Sequence, residues 1–372
     1  MHTTLSHGRH PAPILAWFTC LLLSFALVAP TWAATEVSLY QEQIIVSGNA
    51  TQKEQSSAIE LAFKQLLVRV TGIREALQEP AIVAELANGS RYLSSFRFEA
   101  SGEFFTNILG EKVATKAMVL DFDEATVNAL LIQNRLPVWG ARRPDVLIWL
   151  ADRLDGQDHI LADSETTELA ELVTGEAAAR GVPLLLPIMD LTDTLSLSFA
   201  DVNGLFSQDI EAASERYGAE AVLAGRILQR ASDYSVDWLL LFKGERIRLP
   251  EVTGTLAELV SAGINMVAER LSEQYAFVLD PLLLGSIRLQ VVNINDLAEF
   301  AAIERYLQTI NLITGITVHH FSATDVVFDL AISGDRMQLA DLLNLDGQLV
   351  LIEETTLEAK LDNILYYRWL PN

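Results

Sequence analysis

Three carboxylates, Asp190, Asp193 and Asp201, stand close together in mid-chain, just after an apolar Leu184-Leu185-Leu186 run. Layered α/β folds set their reactive groups at the C-terminal end of such a strand, and a carboxylate pair there could divide general-acid and general-base roles in a hydrolysis. The chain carries 49 Asp and Glu residues, so acidic pairs also arise by chance, and a solvated surface is the competing reading. A second constellation is cationic. Trp139, Arg142 and Arg143 fall within LPVWGARRP, and Arg226 closes YGAEAVLAGR. Guanidiniums beside an aromatic ring suit an anionic ligand or a partner's carboxylates. In the competing, structural reading Gly218 caps a helix, Gly225 permits a close backbone approach and Arg226 braces a neighbouring carboxylate.

Imidazole chemistry is scarce. Beyond the first ten residues the only histidines are His159, His319 and His320. The last two are neighbours on a predicted strand, where successive side chains point to opposite faces, so without a bulge they do not share an ion. His159, near Asp152, Asp155 and Asp158, lacks the ordered ligand spacing of a calcium loop and reads as a polar hairpin tip. Neither a metal nor a cofactor is expected. The chain holds no Gly-x-Ser-x-Gly elbow, no phosphate loop ending in Gly-Lys-Ser/Thr, no His-Glu-x-x-His and no glycine-rich dinucleotide turn. The balance leans against an enzyme, with a hydrolase using Asp190, Asp193 or Asp201 kept as the alternative.

The amino terminus sets the expected compartment. Residues 1–33 combine Arg9 and three histidines, an apolar run from Ile14 to Val28 and a small-residue ending at Thr31-Trp32-Ala33, the pattern of a secretory signal cleaved after Ala33. The run is short for a membrane span, so no stable membrane insertion is expected after cleavage, and the alternative is a retained anchor. The single cysteine, Cys20, lies inside it, which leaves the processed chain without disulfides or thiolate sites. Net charge is −23, and losing the leader's one arginine makes the chain more negative still. Nucleic acid and anionic head groups are repelled on average by such a surface, so no nucleic-acid partner is expected.

The elements that must position these residues divide at the seam Leu136 to Pro144, where Pro137, Gly140 and Pro144 break the chain and Trp139 marks a packed joint. Before it, residues 34–136 read as a small α+β unit. Gln52 to Val70 is an amphipathic helix, Pro80 to Leu86 a shorter one, and Arg91 to Glu99 pairs with Glu111 to Asp121; a further helix is capped from Asp121. After it, residues 137–282 alternate strand and helix as a layered α/β unit: Asp145 to Leu150, Val182 to Pro187, Ala221 to Ile227 and Asp237 to Phe242 as strands, with Leu256 to Leu271 closing. Residues 283–372 read strand, helix, strand, strand, helix, strand, a ferredoxin-like order ending at Leu349 to Ile352.

Taken together, LPVWGARRP, LLLPIMDLTD with Asp201-Val202-Asn203-Gly204, and YGAEAVLAGR resemble the proteobacterial domain-of-unknown-function family 2066 over most of residues 36 to 280. The resemblance implies a Gram-negative envelope protein of unassigned activity, with no catalytic residues to carry over. The middle stretch is also similar, more loosely, to layered domains of periplasmic assembly factors and lipoprotein activators, where the YGAEAVLAGR type of turn is structural. The expectation is a non-enzymatic periplasmic protein that binds another envelope protein, its identity unknown. A protein that binds a small anion through Trp139, Arg142, Arg143 and Arg226 is the further alternative.

Overall fold

The computed structural model describes residues 35–106, 110, 112–230, 233–279, 285–322, 324–345, 347–352 and 364–370. The leader expected over residues 1–33, with its expected cleavage after Ala33, lies outside the described residues. Mixed α/β architecture, with several sheets and ten helices among the described residues, agrees with the α+β and α/β classes expected from the pattern.

The chain opens with β1 (Thr35–Glu36), β2 (Gln41–Ser47), α1 (Gln52–Thr71), α2 (Pro80–Leu86), β3 (Leu93–Thr106), β4 (Lys112–Phe122) and α3 (Glu124–Gln133). Thr51 and Glu54 form a capping box that satisfies donors left open by the first turn of α1, and left-handed Gly72 ends the helix. Its stripe of Phe63, Leu66, Leu67 and Val70 packs with Met118 and Leu120 of β4, the middle strand of the antiparallel order β2-β4-β3. The cap of α3 is Asp123, whose side chain accepts from the Thr126 amide. The pattern-based cap, Asp121, is instead drawn into β4, where it pairs with Gln41 and Ser95.

The seam supplies β5 (Val138–Trp139) and β6 (Arg142–Arg143), and then β7 (Val146–Asp152), β8 (His159–Ile160), α4 (Glu168–Arg180) and β9 (Leu184–Leu185) follow. Next come α5 (Leu191–Ser196), α6 (Phe199–Asn203), α7 (Ser207–Ser214), β10 (Ala221–Arg230), β11 (Asp233–Phe242), β12 (Glu245–Gly254), α8 (Leu256–Tyr275) and β13 (Ala276–Phe277). Every residue of β7 is buried. Ile148 and Leu150 join a core with α4 and α8, whereas Leu147, Trp149 and Ala151 join another with Val202 of α6 and Ile210 of α7. Cover on both faces accounts for the unbroken apolar run. β7 runs parallel to β9 and β10, and β10, β11 and β12 continue as an antiparallel meander that leaves β12 at an edge.

Trp238 sets how closely α8 approaches this sheet. Its indole lies against Gly225 of β10 and Gly263 of α8, where a Cβ would come within 2.3 and 2.5 Å of the ring. Its Nε1 donates to the Leu259 carbonyl at 3.1 Å, so the buried indole is satisfied.

The last elements are β14 (Gly285–Val292), α9 (Leu297–Gln308), β15 (Ile313–Phe321), β16 (Asp325–Ile332), α10 (Arg336–Leu343), β17 (Leu349–Leu351) and β18 (Ile364–Trp369). The sheet is ordered β15-β16-β14-β18-β17. β18 is a strand beyond the expected set. It lies parallel to β14 and separates it from β17. The apolar core of this part is continuous with that of the middle sheet, running from Trp139 to Trp369, while the β2-β4-β3 sheet has its own. Among the described residues no helix is long and apolar enough to cross a membrane.

Candidate functional site

At the seam two helices end against each other. An α-helix leaves its last carbonyls unpaired and carries partial negative charge there, which cations offset. The C-terminal ends of α1 and α4 are met by three arginines. Arg143 is fully buried. It donates to the carbonyls of Arg69 at 2.6 Å, Arg180 at 3.0 Å and Gly181 at 2.9 Å, and to Trp139 and Gly140 at 3.1 Å each. Its guanidinium also lies 3.8 Å from the Trp139 ring centroid. Arg180 reaches back to Val68 at 3.3 Å and Gly72 at 2.8 Å, and Arg69 reaches Ala179 at 3.2 Å. Burial, with the Arg69 and Arg180 charges alongside, lowers the Arg143 pKa well below its ordinary value. The carboxylate of the group is Glu42, 2.7 Å from Arg69; burial outweighs that ion pair and raises its pKa to about 7.

The four residues expected at a cationic anchor are therefore not brought together. Trp139 and Arg143 do meet, but both are fully buried, the first in the apolar core and the second among helix-end carbonyls. Arg142 points the other way, 4.2 Å from the Tyr306 ring centroid and 3.3 Å from Thr309 Oγ1, beside an open pocket of 500 Å³ that Arg305 and Trp369 also line. Arg226 pairs in register with Ala151, whereas Ala221 pairs with Val146 next to the seam; that separates it from the seam by roughly 17 Å of strand. There it holds Asp237 at 2.8 Å and the Asn203 carbonyl at 3.2 Å.

The three aspartates likewise serve the backbone. Asp190 caps α5, accepting from the Asp193 amide at 3.0 Å, and Arg216 grips it through two nitrogens at 2.7 and 3.0 Å. That grip lowers the Asp190 pKa far below the carboxylate range. Buried Asp193 accepts from Arg216 at 2.7 Å, from Tyr217 Oη at 2.5 Å and from the Met189 amide at 2.9 Å. Burial and that hydrogen bond push the Tyr217 hydroxyl up to about 12. Asp201 closes a capping box with Ser198 on α6, which lowers its pKa. For Asp190 and Asp201 these shifts run away from the raised carboxyl pKa that a general acid requires.

His159 bridges Asp152 at 2.7 Å and Glu165 at 2.9 Å, tying the β7–β8 hairpin to the approach of α4. Burial pulls its pKa down, but the bonds to the two carboxylates prevail and raise it. A bulge does interrupt β15 between Val318 and His320, and His319 there bonds Asp329 at 2.9 Å. Among the described residues no group of three or more His, Cys, Asp or Glu is arranged to hold a metal ion.

The open feature that pattern reading missed is a groove of 1040 Å³ along α8. β12 contributes Glu245, Ile247 and Leu249, and α8 contributes Ala262, Asn265 and Met266. The lining counts five glutamates against Arg74 and Arg270. Arg74 pairs with Glu269 at 3.1 Å, and Arg270 with Glu245 at 2.8 Å and Glu273 at 2.7 Å. The groove stays net acidic. Asn265 is 7% exposed; its Nδ2 donates to Ser261, while Oδ1 has no partner among the described residues. The missed signal was the alternation Glu245, Ile247, Leu249 in a stretch that Pro250 and the intervening arginines disguise.

Residues 33–140 match the family model described as Domain of unknown function (DUF8605). This is a different family from the domain-of-unknown-function family 2066 that the seam and middle motifs resemble, and it overturns that assignment. The motifs behind the assignment are a helix-end joint, a cap and a strand turn, which α/β folds reuse for backbone reasons. No curated protein and no solved structure matches the chain.

Proposed function

We propose that this is a non-enzymatic accessory protein of the cell envelope that binds another protein, delivered to the periplasm by its amino-terminal apolar run. One observation carries the binding part: the acidic groove of 1040 Å³ between α8 and the edge strand β12. A concave site with apolar floor and unsatisfied polar groups is where a ligand binds by default. The side chains that would serve a hydrolase are engaged as caps and ion pairs, which supports the non-enzymatic reading. We keep three units in this account, 34–136, 137–282 and 283–372, and read the last as a ferredoxin-like module widened by β18.

The test is an in-cell crosslinking pull-down of the processed protein beside a Met266→Arg variant. A reproducible envelope partner that the variant loses is the expected result. A partner retained in full by the variant moves binding away from the groove, and amino-terminal sequencing that finds residues 1–33 uncleaved removes the periplasmic assignment. The 500 Å³ pocket favours a second reading, a small anion held by Arg142 and Arg305 beside the buried Trp369 Nε1, which has no partner among the described residues. A phosphate- or citrate-dependent rise in Tm, absent in Arg305→Ala, is its expected outcome.

A further inference from the structure

The structure points to an extended, basic segment of a partner as the occupant of the α8 groove, added as a strand to the edge of β12, which pairs only with β11 among the described residues; this inference rests on the protein-binding reading above. β11 and β12 are joined by Lys243-Gly244, both with positive φ, a two-residue hairpin turn. In such a hairpin the residues flanking the turn, Phe242 and Glu245, form the hydrogen-bonded pair, and pairing alternates along the ladder. Ile247 and Leu249 therefore bond inward to β11, while Arg246 and Arg248 turn their N–H and C=O outward along the edge. The edge is blunted further along, where Pro250 and a bulge break the register opposite Asp237, but not across residues 245–249.

Side chains of an added strand alternate between faces, and those on the inner face enter the groove. They meet Ile247, Leu249 and Met266 as apolar contacts and an excess of glutamate as charge. Glu258 is held by its own capping box with Thr255, and Glu176, Glu245 and Glu273 line the rest. Charge complementarity thus selects a strand in which Lys or Arg alternates with apolar residues, and a second copy of this chain, at net −23, is disfavoured. Asn265 Oδ1, a buried acceptor lining the same groove without a partner among the described residues, suits a donor from such a strand.

The probe is a short fluorescent peptide of alternating lysine and valine, titrated onto the full processed chain by anisotropy, with a glutamate–valine peptide as comparison. The lysine peptide is expected to bind and the glutamate peptide not, with affinity falling steeply as salt shortens the screening length. Arg248→Pro removes one outward N–H at an edge position where proline is tolerated, and is expected to weaken binding roughly fivefold relative to Arg248→Ala, the loss of one backbone hydrogen bond. Should Arg248→Pro misfold, the lysine peptide N-methylated at alternate backbone nitrogens makes the same test from the ligand side. Equal binding by the two peptides, equal affinity of the two Arg248 variants, or no binding of the lysine peptide overturns strand addition. If the pull-down partner is still lost in Met266→Arg while strand addition fails, the protein-binding reading stands and only this inference falls.

Discussion

Arg142 and Arg143 are adjacent and identical in type, and their surroundings give them opposite roles. Arg143→Met strips five hydrogen bonds, three to carbonyls at two helix ends and two to the Trp139 and Gly140 carbonyls of the seam, and is expected to cost about 3–5 kcal/mol in chemical denaturation. Arg142→Ala loses the stacking contact with Tyr306 and the long hydrogen bond to Thr309, and is expected to cost less than Arg143→Met. Glu42 gives a pH signature. Burial raises its carboxyl from 4.5 to about 7, so the folded state holds the proton more tightly than the unfolded chain. Stability from this group is greatest below about pH 4.5, falls as pH rises to about 7 and is level above. Glu42→Gln removes that slope, and the difference between wild-type and variant stability curves isolates it from His159, whose raised pKa acts in the same direction. At this scale the sequence displayed the types of residue, not their convergence. Arg143 meets carbonyls of residues 37 and 74 positions away, and no local spacing encodes that.

Most elements were legible because their patterns are local. The Thr51–Glu54 capping box, Pro80 at the start of α2 and the apolar run of β7 mark their elements in the chain itself. β12 and β18 were not. Charges and Pro250 hide the alternation of β12, and β18 is announced only by Asp362-Asn363 just before it, although Leu365, Tyr367 and Trp369 alternate inward. α5 and α6 were missed for a different reason: each is under two turns and is defined by caps, so Asp190, Asp193 and Asp201 read as an acidic cluster with chemical potential. The packing of α8 yields a further prediction. Alanine is a better helix former than glycine by about 1 kcal/mol, yet a Cβ at Gly263 meets the Trp238 ring at 2.5 Å. Gly263→Ala is expected to destabilise by about 1–3 kcal/mol in denaturant melts, overpacking outweighing propensity.

Across the whole molecule, two features set cooperativity. The core is continuous from the middle sheet into the β14–β18 sheet, and the arginine joint wires the first unit to the end of α4. Calorimetry of the wild type is expected to give one transition. Arg143→Met, by loosening the joint, is expected to release the first unit as a separate, earlier transition, since that unit has its own core. The joint makes a rigid frame, and the groove of α8 and β12 is the surface that frame presents. Amide hydrogen exchange on the processed protein, with and without the captured envelope partner, tests that assignment most directly. Slowed exchange at Arg246 and Arg248, with β3 unchanged, is the result expected here; unchanged exchange at both arginines with a saturating partner contradicts it.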